Sequence, residues 1–343
     1  MRRLPFLSCA ARTPILRRHA CHCSRATLFL PGLARGRERC ATCETFMRAL
    51  KDLSDKKLAD AVELNHAQWL RLQGRLAWPE FHDDGDAWRV FVGKGGWPRN
   101  RVARARFAPE IAHRRVGEIL ATYLRAKVAC NWIVGPFSQP PDLEKHLRAH
   151  GFRCMVRPPG MACDLSILPP APALPEGVEV GLEETPQVLE PLTTEPRRLL
   201  QRGLVEMVRF KPRQYWHFTA KVEGRPVGAT ALLLGAGVGG LYGVQVLKEF
   251  RSRGIGTALV FAALHQAREL GLHAAVLSAS GMGQRVYARA GFREVCRIAF
   301  WKYGKMRQLR GEAPPKLRRF LQATIRQAVS AARTQATINI KVK

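Results

Sequence analysis

The sequence predicts an α/β protein: mixed sheets flanked by helices, in two successive units of like design. Three observations carry that reading. From Leu241 to Phe292 come an apolar β-rich run, a glycine turn, a helical pattern, a second apolar run and a short helix. Strand, turn, helix and strand in so short a space make a βαβ unit with parallel strands. The short helix ends YARAGFR (287–293), and LRAHGFR (147–153) repeats that ending in the N-terminal half, after a similar order of patterns. Between the halves, the prolines from Pro169 to Pro175 forbid a helix and read as a stiff spacer.

The C-terminal unit begins with a strand over 178–182, helical segments within 185–210, strands over 214–222 and 227–235, and a hairpin at Gly235 to Gly240. The strand LYGVQVL (241–247) then leads into KEFRSRGIGTAL (248–259). A helix follows, apolar at Leu259, Ala262, Ala263 and Leu270, polar at Gln266, Arg268 and Glu269, and stopped by Gly271. AAVLSAS (274–280) is the next strand, and one last strand is expected over 294–303. In the turn, Gly254 and Gly256 lack side chains, so backbone N–H groups at the helix start can close around an anion. The helix dipole, Arg251 and Arg253 add positive charge there, which suits a pyrophosphate. An ordinary glycine turn is the competing reading, and the RxxGxG pattern does not separate the two. A Walker loop is excluded because Gly256-Thr257 lacks the lysine, and a Rossmann turn because Ser278 and Ser280 stand where an acid is needed.

Arg251-x-x-Gly254-x-Gly256 after a V-x-V strand, with Tyr287-x-x-x-Gly291-Phe292 downstream, closely resembles the acetyl-CoA site of the GNAT N-acetyltransferase superfamily, over roughly Val178 to Tyr303. The resemblance implies a GNAT-like fold, a twisted mixed sheet with splayed parallel strands. It implies that Val244, Gln245 and Val246 offer backbone groups to the pantetheine arm and that Ser252, Arg253, Gly254, Ile255, Gly256 and Thr257 hold the pyrophosphate. Tyr287 would be the general acid that protonates the departing thiolate. A core aromatic is the plainer role for that tyrosine. Ser280 stands where family members often carry asparagine, which puts that contact in doubt, and no general base can be named.

The chain carries a net charge of +29, unevenly spread. Residues 1–46 hold nine arginines against two acids, and residues 302–343 hold eleven Lys/Arg against one, so over half of the excess lies in these segments. Solvated tails and a field that attracts CoA account for it. Nucleic-acid binding lacks an aromatic-interleaved basic motif. Residues 1–46 lack the long apolar run of a membrane span. They read as a mitochondrial or plastid transit peptide, or as an upstream extension before a folded part beginning at Met47. Cys21-His22-Cys23 with Cys40-x-x-Cys43 is too tight for an ordinary zinc knuckle, so no metal is expected. Cys130, Cys154, Cys163 and Cys296 read as reduced core thiols, which favours the cytoplasm if no transit peptide is present.

Residues 47–165 form the N-terminal unit: a helix over 53–72, strands at 88–92, 100–107 and 131–134, a turn at 93–98, and helices over 109–124 and from Pro141 to Gly151. Sliding the repeat back sets AHRRVGEIL (112–120) on RSRGIGTAL (251–259), with Gly117 on Gly256, Arg115 on Gly254 and Leu147 on Tyr287. Chance similarity is the alternative. On this register the half is a degenerate GNAT-like copy whose phosphate turn is filled and whose acid is lost. It is expected to pack on the catalytic half and to wall one side of an acceptor cleft. Residues 166–177 are the linker, 178–303 the catalytic domain and 304–343 a basic tail with an amphipathic helix at 315–332.

The function expected is acetyl transfer from acetyl-CoA to an amine of a small molecule or peptide. A catalytically silent CoA-binding sensor and a basic nucleic-acid-binding protein are the alternatives. Candidate acceptor contacts lie in 185–217, including Glu195, Arg197, Arg198, Tyr215, Trp216 and His217.

Overall fold

Helix α1 (Asp55–Gln73) lies between two sheets, and its burial pattern shows it. Leu58, Ala61, Val62, Ala67 and Leu70 share a core with Trp88, Val90 and Ile133 of one sheet and with Ala162, Ala274 and Val276 of the other. A helix covered on two sides buries polar residues too, here Glu63, Asn65, His66 and Gln68. The computed structural model describes residues 48–76, 79–92, 100–186 and 195–303, with 195–201 described by backbone alone. All of these fall within one compact unit, Cys40–Lys343. The cysteine pairs, the expected turn at 93–98, the helix at 315–332 and the side chains of Glu195, Arg197 and Arg198 lie outside the described residues.

After α1 come β1 (Glu80–Asp83), β2 (Trp88–Phe91), β3 (Arg101–Ala103), α2 (Pro109–Arg125), β4 (Cys130–Val134), α3 (Leu143–Ala149), β5 (Arg153–Val156) and β6 (Pro159–Asp164). The second half contributes β7 (Val178–Leu182), α4 (Glu195–Arg209), β8 (Tyr215–Val222), β9 (Arg225–Gly235) and β10 (Val238–Val246). Then follow α5 (Ile255–Glu269), β11 (Ala274–Ser278), α6 (Gln284–Arg289), β12 (Arg293–Arg297) and β13 (Ala299–Tyr303). One sheet is ordered β1-β2-β3-β4-β13-β5 and the other β12-β6-β11-β10-β9-β8-β7. Each contains one parallel pair, β3 with β4 and β10 with β11. The two sheets thus repeat one topology, the second with an extra edge strand.

The halves exchange strands. β6 from the first half lies between β11 and β12, and β13 from the second lies between β4 and β5. The chains cross where the Ile298 N–H donates to the Pro158 carbonyl at 3.1 Å. This corrects two expectations. The single strand at 294–303 breaks at Ile298 into β12 and β13, which belong to different sheets. β6 lies at the end of the N-terminal unit, where no strand was expected after the helix ending at Gly151. Its glycine, proline and alanine have little strand preference, and two flanking strands supply the pairing that holds it. The strand expected over 100–107 stops at Ala103, because Arg104 turns left-handed at φ 55°. Cys154 lies exposed on β5 rather than in a core; all four described cysteines are free.

Glu63 ties α1 to the loop after β4. Its Oε2 accepts the N–H groups of Phe137 (2.6 Å) and Ser138 (3.1 Å), and its Oε1 accepts the Ser138 hydroxyl. Complete burial pushes the carboxyl up to about 7 against the pull of these donors. A folded value above the unfolded 4.5 means that the folded state holds the proton longer, so stability should fall as pH rises from 4.5 to 7. Denaturant titration at pH 5 and pH 7.5 should show this decline, on the order of 2 kcal/mol. Glu63→Gln should remove it.

Candidate active site

The second sheet opens along its middle. β10 and β11 pair only at Gly239 with Ala275 and Gly240 with Val276. β10 then bulges, its register with β9 shifting between Tyr242 and Gln245, and Gly243 sits at φ 62°. A non-glycine residue there would carry the left-handed penalty. Beyond the bulge, the edge of β10 that carries Val244, Gln245 and Val246 pairs with no strand among the described residues, while its other edge stays paired with β9 at Gln245 and Val246.

At the end of that edge lies the turn. Gly254 caps α5 at φ 82°, and Ser252 is also left-handed at φ 62°. The first helical bond runs from the Ala258 N–H to the Gly254 carbonyl at 3.0 Å. The N–H groups of Ile255, Gly256 and Thr257 therefore have no acceptor within the helix. A Cβ on Gly256 would meet only Val246 Cγ2 at 3.8 Å, so packing does not demand the glycine, and its absent side chain leaves the backbone uncovered. Arg251 is exposed and bonds the Val246 carbonyl through Nε at 3.0 Å, stitching the turn to β10. The exposed Arg253 lies over the Phe250 ring at 5.3 Å.

Tyr287 is buried in the core beneath α5, with its ring 5.9 Å from that of Phe292. Among the described residues its hydroxyl has no hydrogen-bond partner, and burial raises the phenol above its ordinary value. The hydroxyl thus keeps its proton at neutral pH. Ser280 is exposed, and its carbonyl accepts the Gly283 N–H at 2.9 Å, leading into α6.

The first half contains the same framework without the same chemistry. Leu147 stands where Tyr287 does: its carbonyl takes the Phe152 N–H at 3.0 Å, as that of Tyr287 takes the Phe292 N–H. The expected place of Arg115 needs correction. α2 begins at Pro109, so Arg115 lies in its second turn and not in the turn before it. There it grips Asp86 at 2.7 and 2.8 Å and Glu118 at 2.9 Å, contacts that push its guanidinium pKa higher still. The true counterpart of the turn before α5 contains no glycine, and Pro109 supplies no N–H. The Arg106 and Phe107 N–H groups are already bonded, to Asp86 and Gln139.

Sequence reasoning missed what α1 brings to the opening. Asn65 Nδ2 donates to the Gly235 carbonyl at 2.9 Å, and its Oδ1 accepts the Tyr242 hydroxyl at 2.7 Å. His66 Nε2 and Ser278 Oγ are 2.8 Å apart, and Trp69 stacks on Tyr242 at 4.9 Å. The polar residues interrupting the apolar stripe of α1 were the available signal.

This is the architecture of tandem GNAT proteins. Residues 182–292 match the model of the Acetyltransferase (GNAT) family. Among solved structures, the fold is similar to a GCN5-related N-acetyltransferase from Kribbella flavida, at 20% identity and TM-score 0.52, covering 71% of this chain and 96% of that one. It is also similar to a tandem GNAT protein from the clavulanic acid biosynthesis pathway, at 17% identity and TM-score 0.50, covering 76% and 97%. No curated protein matches by sequence. Residues 182–292 therefore match an acetyltransferase family, and the fold of both halves together is that of GNAT-like domains in tandem. Among the described residues no cluster suits a metal ion and no helix is long and apolar enough to cross a membrane.

Proposed function

We propose that this protein is an N-acetyltransferase that moves the acetyl group of acetyl-CoA directly to an amine. The observation that carries this reading is the turn at 251–257, whose free N–H groups follow Gly254 at φ 82° and face the end of an unpaired strand edge. The pyrophosphate lies on Ile255, Gly256 and Thr257 with Ser252 to Gly254 around it. The pantetheine follows Val244 to Val246, and the thioester enters the opening between β10 and β11. The amine nitrogen attacks the carbonyl carbon; the C–N bond forms and the C–S bond breaks. Tyr287 gives its proton to the thiolate and regains one from water, while the ammonium releases its proton to solvent.

Calorimetry with acetyl-CoA, joined to a thioester-cleavage assay over an amine panel, tests the proposal. Binding and turnover are expected. Binding without turnover of any amine would point to a CoA sensor, and no binding would remove both readings. Tyr287→Phe should leave binding intact and slow kcat by about 10²-fold. Because burial raises the phenol, the wild-type rate should fall only above pH 10, and the variant should lose that alkaline limb. An unchanged rate would make Tyr287 a core aromatic only.

A further inference from the structure

The face of the second sheet turned toward α1 and α4 carries two buried polar atoms to which the reaction above gives no role. Side chains alternate along a strand, so Tyr215, His217 and Thr219 share this face, while Trp216, Phe218 and Ala220 enter the core under α5. His217 and Thr219 are each 5% exposed. His217 Nε2 and Thr219 Oγ1 have no hydrogen-bond partner among the described residues. An unpaired buried polar group is destabilising, so two of them side by side need a reason.

The strand register connects them to the opening. His217 lies opposite Ala231, and Ala231 opposite Tyr242; Thr219 lies opposite Ala229, and Ala229 opposite Gln245. Tyr242 and Gln245 flank the bulge where β10 parts from β11. The two unpaired atoms therefore stand two strands away, about 10 Å, with only alanines on the strand between. Resting on the acetyl-transfer reading, we propose that His217 and Thr219 receive a neutral oxygen of the acceptor, a carbonyl or hydroxyl lying about 10 Å from the amine.

The hydrogen-bond pattern sets the chemistry. The Tyr215 hydroxyl lies 3.1 Å from His217 Nδ1. Burial raises the Tyr215 phenol and lowers the His217 imidazole to about 4, so both are neutral near pH 7. With the phenol as donor to Nδ1, the ring proton sits on Nε2 and points to an acceptor, the tautomer this assignment takes. Thr219 adds a second hydroxyl. No side chain in the two rows carries a charge, and nearby Lys221 is already paired with Glu183 at 3.1 Å. A carboxylate would be desolvated there without a counter-ion, whereas an amide or hydroxyl oxygen would be satisfied.

The test compares 6-aminohexanamide, 6-aminohexanoate and hexylamine as acceptors at saturating acetyl-CoA, with acetyl-CoA binding measured separately. The amide should exceed the other two in kcat/KM by about tenfold or more. Thr219→Val should erase that advantage while leaving acetyl-CoA affinity unchanged and folding stability equal or higher, because it removes an unpaired hydroxyl. His217→Phe should erase it as well. Equal rates for the three amines, preference for the carboxylate, or turnover of none despite acetyl-CoA binding would overturn the assignment. So would a Thr219→Val protein that is destabilised and uniformly slow, the mark of a structural role. Failure to bind acetyl-CoA would remove the acetyl-transfer reading and this proposal with it.

Discussion

Gly254→Arg should weaken acetyl-CoA binding by more than about a hundredfold, the scale on which losing a preformed anion cradle is felt. Two effects combine. The side chain would stand over N–H groups that only a bare backbone leaves open. It would also have to hold φ 82°, which costs an ordinary residue about 1–2 kcal/mol. The new Cβ would approach Pro175 Cγ to 3.2 Å, a contact the proline ring must yield to by a few tenths of an ångström. Denaturation should therefore show a modest stability loss beside the large binding loss. Gly254→Asn separates the two, since asparagine tolerates the left-handed region and lacks the reach of arginine. It should keep the fold and lose less affinity. Calorimetry on both variants decides the matter: wild-type affinity in Gly254→Arg would show that the phosphates lie elsewhere.

Cutting the chain between its halves should destroy both. A 178–303 fragment lacks β6, which pairs with β11 from Ala274 to Ser278 and is the only described neighbour of β12. The same fragment leaves β13 without β4 and β5, exposing Trp301 and Tyr303, which are buried in the intact chain. A 47–165 fragment has the reciprocal gap. Neither should show cooperative unfolding by circular dichroism, and 178–303 should aggregate through its uncovered strand edges. Co-expression of 47–165 with 166–343 should restore a soluble pair that elutes together. A 178–303 fragment that is monomeric and unfolds cooperatively would show that the exchanged strands are dispensable.

Local signals made much of this protein legible. The glycines of the turn, the helix from Ile255 to Glu269, the strand before it and the Gly-Phe helix ends at 151 and 291 are set by backbone freedom and by periodicity over neighbouring residues. Those signals survive any tertiary context, because Gly254 needs φ 82° and Gly291 needs φ 84° wherever the sheet lies. The equivalence of Leu147 and Tyr287 was readable for the same reason. The N-terminal register was not: Arg115 was aligned through one glycine, while the start of α2 is decided by Pro109 and by contacts to Asp86 and Gln139.

The sequence by itself determined the α/β class, the repeat of one design and the glycine turn before the helix at Ile255, and it singled out Tyr287 as a candidate. Only the tertiary structure decided which sheet β6 and β13 join, and that α1 of the first half reaches the opening of the second. The difference is physical. A turn or a helix end is specified by a few adjacent residues, whereas a strand carries no mark of its partner. Gly160 to Asp164 pairs with β11 and Pro159 to Ala162 with β12, because burial there lets a neighbouring strand on each edge take up backbone groups, a quantity that no short window of sequence contains.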